Sequence, residues 1–188
     1  GAADKLFINT AGMGAIPSDI HWGAATLTPG DVLIASGTLG DHGATILNLR
    51  EHLGLDGELQ SDCAVLTPLI QSLRPIAGVK ALRDATRGGV NAVAHEFAAT
   101  SGYGIEIHEQ NLPLKDSVRG VCELLGLDAL NFANEGKLVI GVSREAADEA
   151  LATLRAHPLG CDAAIIGEIT ECRGVRVAGL YGVKRTLD

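Results

Sequence analysis

The run VKALRDATRGGVNAVAHEF, residues 79–97, constrains this chain more than any other segment. Its first six residues read as a strand. Val90, Val93, Ala94 and Phe97 then recur at i, i+3, i+4 and i+7, the stripe of an amphipathic helix. Strand, glycine-rich turn and helix follow one another directly. A chain built this way belongs to the α/β class.

The pattern repeats. DVLIAS (31–36) is a short apolar run bounded by turn residues, a buried strand. A glycine-rich turn follows, then a helix with Ile46, Leu49 and Leu53 on one face, stopped at Gly54. LTPLIQSLRPI reads as a helix with Thr67 as N-cap and Pro68 in its first turn. GIEIHE (104–109) and KLVIGV (137–142) are strands, and Val118, Val121, Cys122 and Leu125 form a helical stripe ended by Gly126. Ser143 is placed to cap a helix bearing Ala147, Ala150, Leu151 and Leu154, which stops before Pro158. AAIIGEIT and VRVAGL suggest strands near a hairpin. The expected architecture is a two-layer sandwich, a mixed sheet covered by helices. Aromatic residues are only 3% of the chain against 46% hydrophobic, so its core must be aliphatic. Residues 31–188 should form this domain, with 1–30 a lead-in segment.

Charge narrows the function. The net charge is −8, and Lys and Arg are scattered, which disfavours nucleic acid and anionic membrane surfaces as partners. No apolar run has the length of a membrane span, and the N-terminus does not read as a signal peptide. Cys63, Cys122, Cys161 and Cys172 form no C-x-x-C pair, and the six histidines show no zinc-type spacing. A reduced, cytoplasmic chain with no metal site of its own is expected. The sequence does not begin with Met, which suggests a piece of a longer chain.

Three turns could carry chemistry. Asp84, Thr86, Arg87, Gly88 and Gly89 sit at a helix start, where free N–H groups attract anions and an arginine can bind phosphate. A plain structural turn capped by Thr86 fits the same residues. Gly40, Asp41, His42 and Gly43 repeat the arrangement, although a capped helix with Asp41 at its N-terminus fits them too. Asn134, Glu135, Gly136 and Lys137 precede a buried strand, where Glu135 could serve as a general base or pair with Lys137 in a solvated turn. His95 and Glu96 read as solvated face, and His157 as a helix stop.

Together SGTLGDHGATIL, LRDATRGGVNAVAHEFA, CELLGLDALNFANEGKLVIGV and LRAHPLGCDAAIIGEI resemble one superfamily, the PurM-like or AIR synthase-like ATP-using enzymes. Within it they are similar to the HypE family of hydrogenase maturation. The resemblance implies a PurM C-terminal-like fold in an ATP-dependent carbamoyl dehydratase. Such an enzyme converts a thiocarbamate on a C-terminal cysteine to thiocyanate for the cyanide ligands of [NiFe] hydrogenase. It also implies a HypF-like carbamoyltransferase and a HypC–HypD complex as partners, a homodimer, and ATP with Mg2+ held mainly by an N-terminal domain. Residues 1–30 would then be the end of that domain plus a linker. Glu135 would be the base, and the residues of the first two turns would line the phosphate side. The family's Pro-Arg-Ile-Cys tail has no counterpart in this sequence, so the isolated chain is expected to be inactive. The motifs TRGG and NEGKLV argue against selenophosphate synthetase or thiamine-phosphate kinase, and a non-catalytic docking module is the alternative.

Overall fold

The computed structural model describes residues 8–9, 11–55, 57, 59–179 and 182–187. Its described elements run, in order, β1 (Val32–Ala35), α1 (Asp41–Glu51), α2 (Thr67–Leu73), β2 (Val79–Asp84), α3 (Gly89–Ser101) and β3 (Gly104–His108). They continue with α4 (Asp116–Leu125), β4 (Leu138–Val142), α5 (Ala147–Arg155), β5 (Ala164–Thr170), β6 (Val175–Ala178) and β7 (Lys184–Thr186). The seven strands form one sheet in the order β2-β4-β1-β5-β3-β6-β7. β3 and β6 run parallel, and the remaining neighbours are antiparallel, so the sheet is mixed as expected.

Alternation along β1 sets the two cores. Leu33 and Ala35 join Val90, Val93, Ala94 and Phe97 of α3 on one face. Val32 and Ile34 join Leu69 and Leu73 of α2 and Ala150 and Leu154 of α5 on the other. Helices therefore cover both faces of the sheet, so the mixed sheet is covered by helices as expected, but in three layers rather than two. The stripe that defines α3 is wholly buried, each of its four residues at 3% exposure or less. Core packing also reaches upstream of residue 31: Leu27 is 1% exposed, and Asp31 accepts from the Thr28 N–H and pairs with Lys80. Among the described residues no helix is long and apolar enough to cross a membrane.

Several local expectations need correction. The strands after α5 form no hairpin with each other, because β3 lies between them; the hairpin is β6 with β7. Helix α1 buries Asp41, Ala44 and Asn48, while Leu49 is exposed, so its inward face is rotated from the Ile46–Leu49–Leu53 stripe. The cause lies at its N-terminus, where Gly43 lies against Phe132 and the Asp41 carboxylate turns inward to Lys115. The helix closes at His52 in the left-handed conformation rather than at Gly54. Thr67 is the first residue of α2 and Leu66 its N-cap. Ser143 makes no side-chain cap to a helix N–H, and α5 starts after Ala146.

Candidate functional site

Sheet register brings the three turns together. β4 is antiparallel to both β1 and β2, with Val139 opposite Ala35 and Leu138 opposite Asp84. The start of β4 therefore lies beside the ends of β1 and β2. The turn into α1, the turn into α3 and the Asn134–Lys137 turn meet at one end of the sheet.

Asn134 joins them. It is 1% exposed. Its Oδ1 accepts from the Gly40 N–H at 2.8 Å, and its Nδ2 donates to the carbonyls of Ala85 at 3.1 Å and Phe132 at 2.9 Å. The Asn134 N–H also donates to the Ala85 carbonyl, and the Ala85 N–H to that of Lys137. One buried amide thus holds both helix-opening turns against the segment that carries Glu135.

The glycines serve this packing. A Cβ on Gly89 would lie 2.4 Å from the Leu130 carbonyl oxygen and 2.5 Å from that of Phe132, and its φ is +61°. A Cβ on Gly43 would lie 2.8 Å from the Phe132 Cβ, and the Gly43 N–H donates to the Ala133 carbonyl. These two positions admit protein backbone where a ligand was expected. Gly88 differs: it is exposed, left-handed at φ 75°, and forms the N-cap of α3. Thr86 is thus not the cap, and no side chain caps that helix.

The expected residues divide between two places. Asp84, Thr86 and Arg87 line a cleft of about 410 Å³ with Arg83 and Glu96. Asp84 is held there by Arg83, which also pairs with Glu96 at 3.0 Å. Those carboxylates, Glu96 first, hold the Arg83 guanidinium above its usual pKa. Arg83 is thus paired within the protein, and Arg87 is a second exposed cation of the cleft. Asp41 is inside the fold at 2% exposure, bonded to the Thr38 hydroxyl and paired with Lys115 at 3.0 Å. It fastens α1 to the residue before α4.

His42 and Glu135 form the second place. His42 Nε2 lies 3.9 Å from Glu135 Oε1, and their side chains are 21% and 38% exposed. His42 Nδ1 shares a hydrogen bond with the Ser61 hydroxyl at 2.8 Å, and that hydroxyl lies 3.2 Å from Cys63 Sγ. Asp62 Oδ1 accepts from the Glu135 N–H at 2.9 Å. Ser61, Asp62 and Cys63 were not legible beforehand, because they lie on an irregular loop without periodicity. Glu135 does not pair with Lys137; Asp62 does, at 3.4 Å. Among the described residues no three His, Cys, Asp or Glu side chains are grouped to hold a metal ion.

The cysteines are all free thiols, with Cys63, Cys161 and Cys172 exposed and Cys122 partly buried on α4. Burial, then the Asp128 carboxylate, pushes the Cys122 thiol above its usual pKa. Alkylation at neutral pH, followed by peptide mass mapping, should therefore mark Cys122 several-fold more slowly than the other three.

This arrangement, a mixed sheet with two helix-opening turns and an acidic turn gathered at one end, defines a class. The chain belongs to the AIR synthase related protein family, matching its C-terminal domain over residues 28–179. Among curated proteins it is 79% identical over its whole length to carbamoyl dehydratase HypE of Escherichia coli K12, of which it covers 56%. It is similar to a crystal structure of E. coli HypE, a hydrogenase maturation protein, with a TM-score of 0.92 at 78% identity, covering 93% of this chain and 54% of that one. A HypE–HypF complex matches with a TM-score of 0.85 at 43% identity, covering 88% and 54% of the two chains. HypE in complex with ATP matches at 0.84 and 36%, covering 89% and 52%. The chain spans about half the length of the curated relatives it matches.

Proposed function

We propose that this chain acts as the C-terminal portion of an ATP-dependent carbamoyl dehydratase. The reaction removes water from a thiocarbamate on a C-terminal cysteine and leaves a thiocyanate, the source of cyanide for [NiFe] hydrogenase. The observation that carries the reading is the Glu135 turn. In a chain so similar to HypE throughout, a half-exposed carboxylate stands on a backbone held from below by Asn134 and Asp62. A HypF-like protein as partner is supported by the similarity to HypE in its complex with HypF.

An amide oxygen is a poor leaving group, and ATP supplies the phosphoryl group that converts it to phosphate. The carbamoyl nitrogen loses one proton to solvent as its oxygen is phosphorylated, and the second as phosphate leaves and C≡N forms. Glu135 is the acceptor of the second proton, and His42 faces its carboxylate at 3.9 Å. Buried Asn134 anchors the backbone next to the acceptor.

The residues present fit the phosphate edge of a nucleotide. Arg87 offers the guanidinium, Thr86 a hydroxyl and α3 its open N-terminus after Gly88. Arg87→Ala should weaken ATP binding by roughly tenfold, about 1.4 kcal/mol. Its thermal midpoint should not move, because an exposed side chain adds little to stability. Calorimetric titration beside a melt checks both.

The reading is tested on the protein at the full length of its relatives, loaded with carbamoyl on its cysteine. Phosphate release from ATP should occur with the loaded protein and not with the unloaded one. Equal release from both would mean that ATP turnover is not coupled to the carbamoyl group, and the reading would fail.

A further inference from the structure

The contacts around Glu135 single out a residue that neither the family match nor the sequence motifs assign. Asp62 lies on the loop between α1 and α2, 73 positions from Glu135 in sequence. Its carboxylate is 3% exposed. Such a group is costly to bury unless its charge is matched. Lys137, itself 11% exposed, faces Asp62 Oδ2 at 3.4 Å. That contact is an ion pair without hydrogen-bond geometry, and Oδ2 has no hydrogen-bond partner. The other oxygen is committed: Oδ1 accepts from the Glu135 N–H at 2.9 Å. The same carboxylate therefore grips the residue before Gly136 and faces the ammonium of the residue after it.

Two further contacts tighten this lock. A Cβ on Gly136 would lie 1.9 Å from the Asp62 carbonyl oxygen, so the two backbones touch where only glycine fits. Ser61, the residue before Asp62, meets His42 at 2.8 Å, and His42 faces the Glu135 carboxylate. The loop thus reaches Glu135 twice, at its backbone through Asp62 and at its side chain through Ser61 and His42. The Glu135 carboxylate itself stays open to solvent and substrate.

We propose that Asp62, held by Lys137, is the positioning residue of Glu135: it fixes the backbone from which the base reaches the carbamoyl nitrogen. This inference rests on the dehydratase reading. Asp62 touches no reacting atom, so its removal should slow the dehydration step without weakening nucleotide binding. A misplacement of about an ångström can cost roughly 10²-fold in rate.

The experiment uses the carbamoyl-loaded protein at the full length of its relatives and follows single-turnover thiocyanate formation by intact mass. Asp62→Ala should lower the rate by about 10–100-fold, with the KM for ATP unchanged. Asp62→Asn keeps an oxygen for the Glu135 N–H but loses the charge facing Lys137. It should fall between wild type and Asp62→Ala, and it is the variant to read if Asp62→Ala does not fold. In a Glu135→Gln background Asp62→Asn should cause no further loss, because the group it positions is already disabled. A loss equal to that seen in the wild-type background would make Asp62 a general structural residue and overturn the proposal. So would a wild-type rate in Asp62→Asn, or a rise in the KM for ATP in step with the lost rate. Absence of thiocyanate from the wild-type protein would instead overturn the dehydratase reading and this inference with it, so the two failures are distinguishable.

Discussion

Asn134→Leu will destabilise the fold by about 3–5 kcal/mol and loosen both helix-opening turns at once. Leucine fills nearly the same space but offers no polar atoms. The Gly40 N–H loses its acceptor, and the carbonyls of Ala85 and Phe132 lose a donor, in a position only 1% exposed. A buried polar group left unpaired costs about 1–3 kcal/mol. The Ala85 carbonyl keeps the Asn134 N–H and bears least of this. Against a typical total of about 5–15 kcal/mol the loss is large. Urea denaturation measures it directly. A change below about 1 kcal/mol would mean that the turns hold their positions without the Asn134 side chain.

Glu135→Gln will have the largest effect on chemistry and little on the fold. The Asp62 bond is to the Glu135 backbone N–H, so it survives the substitution. The side chain is 38% exposed, and among the described residues its ion-pair contact is His42 at 3.9 Å. Glutamine keeps the shape and cannot accept the proton. General-base removal typically costs about 10²–10⁴-fold. Single-turnover dehydration should slow by that much while ATP affinity and the melting temperature stay near wild type. A rate within a few-fold of wild type would remove Glu135 from the mechanism.

The fold was readable where periodicity is strong. The four stripe residues of α3 are four of its five buried positions, because a 3.6-residue period on a 13-residue helix leaves little choice of inward face. The α1 face was misread because Asp41 and Asn48 are buried on it. The partner that makes Asp41 burial possible, Lys115, is far away in sequence. The missing hairpin has a similar origin: β5 and β6 are adjacent in sequence, but the edge of β5 is taken by β3, a non-local pairing that short-range turn signals do not report.

The site was half legible for the same reason. The turns announced themselves through glycine and charge at the mouths of elements. Their meeting depends on the antiparallel placement of β4 between β1 and β2, which no local pattern encodes. Gly43 and Gly89 looked like room for a ligand, yet each admits the 130–133 backbone. Asp84 pairs with Arg83, its neighbour in sequence, a contact that glycine and charge at the mouth of a helix do not announce. Asp62 had no signal, since a single acidic residue in an irregular loop becomes notable only when Lys137 and Glu135 are seen around it.

In the proposed reaction ATP drives dehydration by taking the carbamoyl oxygen as phosphate while Glu135 receives a proton from nitrogen. This reaction is tested most directly by placing a heavy-oxygen label in the carbamoyl group of the protein at the full length of its relatives and following one turnover with ATP. The label should leave in inorganic phosphate as the cysteine becomes thiocyanate, and Glu135→Gln should form no thiocyanate over the same interval. Label released into water, or thiocyanate formed as fast by Glu135→Gln as by wild type, would contradict the proposed reaction.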